Sequence, residues 1–272
     1  MKTFILSLLL VFAYATVCAD GGLYLFPKGA RAAGTGGNGL LAGDIWSAYN
    51  NQAGLAFVDK PSAGVYYENR FLVERFGINA GVFTLPALAG TFGMTMAYTG
   101  IEDYGETRIG IGYGKRLASK LAMGIQLNYH LQSFASGHPS LYAFTGEVGL
   151  IAEPAKNILI GVHVFNPTFS KLNSKYEDPV QVILTAGAGY VTEKLAVSAE
   201  VEKKRTGDPI PRFGIEYALF RKIRFRSGVG LNPVTIHFGA GWNTGKFLFD
   251  FAFSHHETLG FSPQIGVGYR FR

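Results

Sequence analysis

The stretch LAMGIQLNYHLQ, residues 121–132, alternates between two kinds of side chain over its whole length. One parity holds Leu121, Met123, Ile125, Leu127, Tyr129 and Leu131, and the other holds Ala122, Gly124, Gln126, Asn128, His130 and Gln132. Period two indicates a β-strand with one apolar face and one small or polar face. The run is longer than the roughly five or six residues of a globular strand, but it suits a tilted membrane strand, which needs about 9–11.

The same alternation recurs along the rest of the chain. VTIHFGAGW at 234–242 and KFLFDFAFS at 246–254 are two further examples. Similar segments lie near 61–70, 76–86, 88–99, 104–116, 120–133, 140–152, 157–166, 179–191, 194–204, 210–219, 222–231, 233–242, 245–255 and 261–272. Lipid cannot satisfy the hydrogen-bonding groups of an open sheet edge, so strands in a bilayer close into a barrel. Bacterial barrels of this kind have an even number of strands. We therefore predict an all-β fold, a transmembrane antiparallel β-barrel of about fourteen strands.

Short and long connections alternate between these segments. KRLASK, AEPAKN, VTEKL, LFRKI and NTGK are tight and often carry lysine or arginine, whereas QSFASGHPS, NPTFSKLNSKYEDP, KKRTGDP and SHHETLG are longer and more polar. Bacterial barrels keep short turns on the periplasmic side and longer loops outside. The pattern predicts that both ends of the barrel segment face the periplasm.

The composition also favours a membrane protein over a soluble one. Aromatic residues make up 14% of the chain and charged residues 16%, whereas soluble domains carry about 25% charged residues. Charge is therefore too scarce to cover a soluble surface. A sequence pI near 9.3 would suit a nucleic-acid partner, but the basic residues are spread singly rather than gathered in one patch, which argues against nucleic acid.

The N-terminus has the features of an export signal. Lys2 precedes an apolar run that begins at Phe4, and small residues lead to Ala19, so we predict that residues 1–19 are a signal peptide cleaved after Ala19. Cleavage there would also remove the one cysteine, Cys18. Lipidation of Cys18 is the alternative, but β-branched Val17 stands where a lipobox needs a small residue. The predicted location is the bacterial outer membrane.

The closely spaced glycines of residues 104–117 could belong either to a nucleotide-binding loop or to a β-strand. YGETRIGIGYGKRL at 104–117 spaces Gly110, Gly112 and Gly114 as a phosphate loop could, but no Lys-Ser or Lys-Thr pair and no crossover helix follow. As strand residues these glycines face inward, together with Gly124, Gly187, Gly189, Gly239, Gly241, Gly266 and Gly268. Inward glycine leaves room for another segment, so we predict that residues 20–60 plug the lumen of a barrel formed by residues 61–272. Strand twist alone is the alternative explanation.

Inward charges predict a lumen filled by protein. Opposite charges on neighbouring strands pair, and inward carboxylates of the ninth and tenth strands lie near inward arginines of the tenth and eleventh. The predicted lumen charge network consists of Glu200, Arg212, Glu216, Arg224 and Arg226, with Glu202 beside Glu200. A wide aqueous pore shows larger fields of one sign, so we expect an occupied lumen.

The segment before the first strand resembles a known family. Residues 29–71, GARAAGTGGNGLLAGDIWSAYNNQAGLAFVDKPSAGVYYENRF, resemble the N-terminal segment of the FadL-like outer-membrane proteins, most closely the PorV and PorQ branch, with its aspartate and Asn-Pro-Ala-Gly-Leu motif. The matching positions here are Asp44, Asn51, Ala53, Gly54 and Leu55, and Gln52 replaces the proline. GVHVFNP at 161–167 is similar to a strand end of that branch. The resemblance implies a fourteen-stranded barrel with the N-terminal segment inside.

The resemblance implies two functions. FadL-type members move hydrophobic molecules, whereas PorV-like members serve the type IX secretion system beside a larger translocon. The longest loop, from about Pro167 to Pro179, is short and polar and offers little material for capturing a lipid. We therefore favour a subunit of an outer-membrane protein secretion or assembly complex, with outer-membrane lipid and other secretion-complex proteins as partners. A FadL-like transporter of small hydrophobic molecules is the alternative.

Catalytic and metal sites find little support in the sequence. His255 and His256 could be metal ligands, but adjacent residues of an extended chain point to opposite faces. Ser140, His138 and Asp178 could form a triad from loops, yet nothing in the sequence fixes their geometry. We predict no enzyme activity, no cofactor and no metal site.

Overall fold

The computed structural model describes residues 27–135, 138–173 and 179–272. The predicted signal peptide, residues 1–19, and the first residues of the predicted plug lie outside these ranges. Within the described residues, no helix combines the length and the apolar character needed to cross a membrane.

Fourteen antiparallel strands form one closed barrel. In chain order they are β1 (Ser62–Asn69), β2 (Gly77–Ala87), β3 (Gly90–Ile101), β4 (Tyr104–Ala118), β5 (Leu121–Phe134), β6 (Leu141–Ala155), β7 (Ile158–Phe165), β8 (Ile183–Val191), β9 (Leu195–Lys204), β10 (Ile210–Phe220), β11 (Ile223–Gly230), β12 (Thr235–Asn243), β13 (Phe247–His256) and β14 (Gly260–Arg270). Each strand pairs with its neighbours in sequence, and β1 pairs with β14 to close the ring. The predicted all-β barrel of fourteen strands is confirmed.

Side chains alternate between the outer wall and the lumen. In β5, Ile125 and Leu127 are exposed on the outer wall, whereas Gln126, Asn128 and His130 are buried. Exposed aliphatic and aromatic side chains recur in this way on all sides of the barrel. Soluble proteins rarely expose such a large apolar surface, so the outer wall requires lipid around it.

Most strands begin and end within a few residues of their predicted limits, but β8 differs. It begins at Ile183 rather than near residue 179. Pro179 instead forms an isolated β-bridge with Lys171, and Val180 is buried in an apolar cluster at the end of the lumen. The apolar pattern therefore begins before the first residue of β8. Val180 belongs to this pattern because it packs inside the protein, whereas the outward residues of a strand are apolar because they meet lipid.

The two ends of the barrel differ in their connections. One end, named the turn end, holds the start of β1, the end of β14 and six turns of two or three residues. The other, named the loop end, holds seven connections, of which the longest runs from 166 to 182. The first of them contains two short 3₁₀ helices, Arg70–Leu72 and Glu74–Phe76. The loop end is thus the end that the sequence predicts to face outward.

Residues 27–60, named the plug, run through the lumen. They contain two short helices, α1 (Ala30–Gly34) and α2 (Ser47–Asn50), and a 3₁₀ helix at Gln52–Phe57. Helix α1 lies against β11–β14, whereas the 3₁₀ helix lies against β3–β6. The plug therefore crosses the lumen from one side of the wall to the other.

Leu127 tests which face of β5 meets lipid. Leu127→Arg places a cation on the outer wall in the middle of the strand, and we expect the free energy of unfolding to fall by about 2–4 kcal/mol, because a cation at the bilayer midplane loses its hydration. Denaturant unfolding in lipid vesicles measures the change. The control is Leu259→Arg, which lies in an exposed connection at the loop end and should change stability little. Equal losses would show that Leu127 does not face lipid.

Candidate functional site

A buried carboxylate of β10 binds the plug in the lumen. The oxygens of Glu216 accept from Nε and Nη2 of Arg31 at 3.1 and 3.2 Å, a two-point contact. Arg226 Nε and Arg224 Nη1, both from β11, donate to the same carboxylate at 2.6 and 2.9 Å. Arg31 Nη1 also donates to Asp44 within the plug, at 2.8 Å. Three arginines therefore share one carboxylate whose side chain is 3% exposed.

Strand register places the wall members of this network side by side. Glu216 lies directly opposite Arg226 in the β10–β11 pair. Arg226 Nη1 reaches further, to Asp250 of β13 at 2.6 Å. Because a planar guanidinium bonds carboxylates through fixed donor directions, the pairs fix orientation as well as distance.

A second anchor joins the plug to β9 and β10. Lys28 Nζ lies 3.4 Å from Glu202 Oε2, and Arg212 Nη1 donates to the same oxygen at 2.8 Å. Glu200 lies opposite Arg212 in register, but its oxygen accepts the backbone N–H of Leu40 at 3.0 Å. The charges expected to pair across strands thus bind the plug as well.

The pKa values of the two plug cations, Arg31 and Lys28, shift in opposite directions. In both, burial lowers the pKa and nearby carboxylates raise it, but the stronger effect differs. The Glu216 carboxylate, assisted by Asp44, holds the pKa of Arg31 above its usual value despite burial. Burial, with Arg212 nearby, lowers the pKa of Lys28, and Glu202 opposes this shift. Arg31 is therefore a permanent cation, whereas Lys28 is the plug charge that loses its proton more readily.

The other half of the plug binds a second buried carboxylate, Glu147 of β6. Gln52 Nε2 donates to Glu147 Oε2 at 3.0 Å. Glu147 also forms an ion pair with Arg108, accepts from Asn128 at 2.7 Å and lies 2.8 Å from His163 Nε2. All these side chains are buried. The usual proline of the motif has no side-chain amide, so Gln52 makes a wall contact that proline could not.

The other motif residues shape the plug and pack it on the wall. Asp44 Oδ1 accepts the backbone N–H two residues ahead at 2.8 Å, and Asn51 Oδ1 does the same at 3.1 Å. Ala53 and Leu55 are fully buried. Gly54 lies so close to the carbonyl and hydroxyl groups of the preceding plug residues that a side chain would not fit. These five residues thus give the plug its compact path.

Inward glycines let the plug touch the wall. A Cβ on Gly124 would lie 2.5 Å from Ala53 N, and one on Gly228 would lie 2.7 Å from Gly36 Cα. Other glycines close to plug atoms are Gly114, Gly189, Gly239, Gly266 and Gly268. Those that leave room for lumen side chains instead are Gly110, Gly112, Gly187 and Gly241. Inward glycine therefore serves both the plug and the buried polar networks.

A cavity of about 260 Å³ lies between the plug and the loop end. The plug, including Lys28, forms its floor, and Arg212 and His237 are among the wall residues that line it. The two ring nitrogens of His237 lie 2.8 Å from Ser254 Oγ and 3.0 Å from Thr235 Oγ1. A hydrocarbon in this cavity would contact apolar groups as well as the charged and hydrogen-bonding groups, and displacing water from the latter is costly.

An apolar cluster fills another part of the lumen at the loop end. Phe165 and Ile183 pack with Leu172 and Val180 of the longest loop. The guanidinium carbon of Arg108 lies 5.3 Å from the centre of the Phe165 ring. The description of this loop as polar is corrected at Leu172, whose side chain is buried, and Val180, which the sequence placed in the eighth strand, is buried beside it.

The catalytic and metal-binding alternatives have no supporting geometry among the described residues. No group of three His, Cys, Asp or Glu side chains in those ranges could hold a metal ion. His256 Nδ1 accepts N–H groups of the connection that follows it, while His255 packs against an aromatic ring of β14. His138 and Ser140 are exposed, and Asp178 lies outside the described residues.

Solved structures with this architecture are known, although neither a protein-family sequence model nor a curated protein sequence matches the chain. The toluene transporter TodX of Pseudomonas putida is similar with a TM-score of 0.73 and 12% identity, over 92% of this chain and 100% of that chain. The toluene transporter TbuX of Ralstonia pickettii gives 0.65 and 15%, over 91% and 99%. A FadL homologue of Pseudomonas aeruginosa gives 0.63 and 11%, over 90% and 98%. The chain has the fold of the FadL-like barrels.

Sequence patterns did not point to Arg31, Lys28 or Glu147 as members of these lumen networks. Arg31 and Lys28 lie in a segment rich in glycine and alanine without periodicity, so no pattern directs them to a strand. Glu147 did carry a usable signal, because a carboxylate in the middle of an apolar membrane strand implies a buried partner.

Gly124 tests the close approach of plug and wall. Gly124→Ala should lower the free energy of unfolding by about 1–3 kcal/mol, because the added methyl group overlaps the plug backbone. Denaturant titration in lipid vesicles measures this change. Gly146→Ala is the matched control, since a Cβ there meets no atom within 4 Å. A loss of equal size in both variants would contradict the contact.

Proposed function

We propose that the protein is a channel of the bacterial outer membrane that passes small hydrophobic molecules and is closed by its plug. The observation that carries the proposal is the plug itself, which crosses a fourteen-stranded barrel of the same fold as two toluene transporters. The apolar outer wall suits a bilayer. Short turns at one end and longer loops at the other suit an outer-membrane barrel whose turn end faces the periplasm.

The anchors between plug and wall would let the plug leave without stranding a charge. When Arg31 withdraws, Glu216 keeps Arg226 and Arg224, and Arg31 keeps Asp44. A buried charge that loses every partner costs several kcal/mol, whereas one that keeps a partner avoids most of that penalty. This arrangement favours a plug that moves over one that is fixed.

The other two anchors follow the same rule. Glu147 keeps Arg108 after Gln52 withdraws, and Glu202 keeps Arg212 after Lys28 withdraws. The three wall carboxylates that bind plug side chains, Glu216, Glu147 and Glu202, thus each keep a wall cation. If the plug moved out, its hydrogen bonds to the wall would be replaced by hydrogen bonds to entering water, and these wall carboxylates would still have a cation beside them.

Passage through the barrel requires that displacement. The strand pairs form a continuous ring from β1 to β14, and the plug lies inside it against both sides of the wall, so a molecule that moves along the barrel axis must pass the plug. Phe165, Leu172, Val180 and Ile183 form a buried apolar cluster at the loop end, and a hydrophobic molecule leaving water would contact it only if Leu172 and Val180 moved aside. From there the route runs through the space that the plug occupies.

The second candidate is a subunit of an outer-membrane secretion or assembly complex, as the PorV-like resemblance of residues 29–71 implies. The observation that favours it is the polar character of the filled lumen, with charged side chains around the cavity of about 260 Å³. A barrel that stays closed would work through contacts with other outer-membrane or secretion-complex proteins. Such a protein would not conduct small molecules.

A disulfide between plug and wall distinguishes the two candidates. A Cβ on Gly266 would lie 3.4 Å from Ala30 Cβ, near the roughly 3.5–4.5 Å of a disulfide. The double variant A30C/G266C, expressed in a bacterium with an outer membrane, should take up labelled toluene at the background rate when oxidised. Uptake should return after reduction, because only a free plug can leave the lumen.

The single variants A30C and G266C are the matched controls for this lock, and the uptake rate of each should be the same before and after reduction. Cells with the wild-type protein that take up toluene no faster than cells without it would contradict the channel. If the protein then also purified in fixed stoichiometry with secretion-complex subunits, the second candidate would stand.

A further inference from the structure

The turn end of the barrel carries an excess of positive charge that the loop end lacks. The six turns hold six basic side chains and one carboxylate, Glu193. Among the described residues of the seven loop-end connections, four basic side chains stand against five carboxylates. The excess is therefore a property of one rim and does not follow from the basic pI of the whole chain.

The six basic side chains are all exposed and follow the barrel around its circumference. They are Lys120, Lys156, Lys194, Arg221, Lys222 and Lys246, and we name them the basic rim. They occupy five successive turns of the closed ring, from β4–β5 to β12–β13. Within the described part of the chain, none of the six forms an ion pair.

Aromatic side chains place this rim at the edge of the membrane. On the outer wall at the turn end, the ring of Trp242 stacks on Phe249 with centroids 5.5 Å apart, and Phe247 packs on Tyr269 at 5.0 Å. Aromatic rings of this kind mark the boundary between the hydrocarbon layer and the headgroups. The turns lie just beyond them, which is the depth of lipid phosphates.

We propose that the basic rim binds anionic, phosphate-bearing lipid headgroups of the leaflet that meets the turn end. Lysine and arginine near a membrane surface are attracted to anionic lipid within about a Debye length. A protein partner would contact one arc of the barrel, whereas these cations extend over most of the circumference, as the lipid annulus does. This site is independent of what passes through the lumen.

Bound lipid can be counted on the full chain by native mass spectrometry. In detergent micelles with equal amounts of phosphatidylglycerol and phosphatidylcholine, the wild type should retain several-fold more phosphatidylglycerol than phosphatidylcholine. This ratio measures the headgroup preference. The triple variant K156Q/K194Q/K246Q, which keeps three of the six cations, should lower this preference without abolishing it. The matched control is R75Q/K203Q/R205Q at the loop end, which should keep the wild-type ratio.

A second variant tests the ring against a single patch. K120Q/K222Q changes turns that the triple variant leaves intact. If all the cations of the rim bind lipid, each of the two variants should lose part of the preference for phosphatidylglycerol. The proposal is overturned if the wild type shows no headgroup preference, or if the loop-end control loses it as fully as the turn-end variant. Binding of a polyglutamate probe without headgroup preference would also overturn it, in favour of an acidic protein partner.

Discussion

The ion pair between Arg31 of the plug and Glu216 of β10 determines what kind of barrel this is. Strand pairing closes the wall by itself, but no backbone ladder holds a glycine-rich segment inside it. Attraction between charges is strong where water is scarce, and the two-point contact of 3.1 and 3.2 Å fixes the position of α1. Once α1 lies on β11–β14, the remaining plug is long enough to reach Glu147 on the opposite side through Gln52.

The plug imposes a second constraint, which is visible in the composition. Wherever its backbone meets a strand, the wall residue must have no side chain, as at Gly124 and Gly228. Other inward positions carry buried polar groups such as Arg108, or glycines such as Gly110 that leave room for them. A large share of glycine and a small share of charge thus have one cause, a narrow lumen that is filled by its own chain.

The sequence was most informative where the structure is periodic. Alternation in β5 follows from the environment of each face, lipid outside and protein inside, so it can be seen without knowledge of the fold. Strand β8 was placed too early because Val180 continues the apolar pattern for a different reason, contact with Phe165 inside the lumen. Local pattern cannot distinguish these two causes of burial.

The individual contacts of the plug could not be predicted from local periodicity. The role of Arg31 depends on a path through the lumen that no local periodicity encodes, and it brings together residues 185 positions apart. Gln52 departs from the proline of the family motif, and its amide is the group that reaches Glu147. The sequence could place Glu216 near Arg226 because the two residues lie within one hairpin, where the structure pairs them.

Hydrogen exchange of the plug amides tests the central claim most directly. The N–H groups of Ala33, Gly54 and Val58 donate to backbone carbonyls within the plug, and in lipid we expect them to be protected almost as well as the amides of β5. Glu216→Ala should speed exchange around Ala33 and leave β5 unchanged. Exchange of the wild-type plug as fast as that of the exposed connections, or an unchanged rate around Ala33 in the variant, would contradict a plug held by this carboxylate.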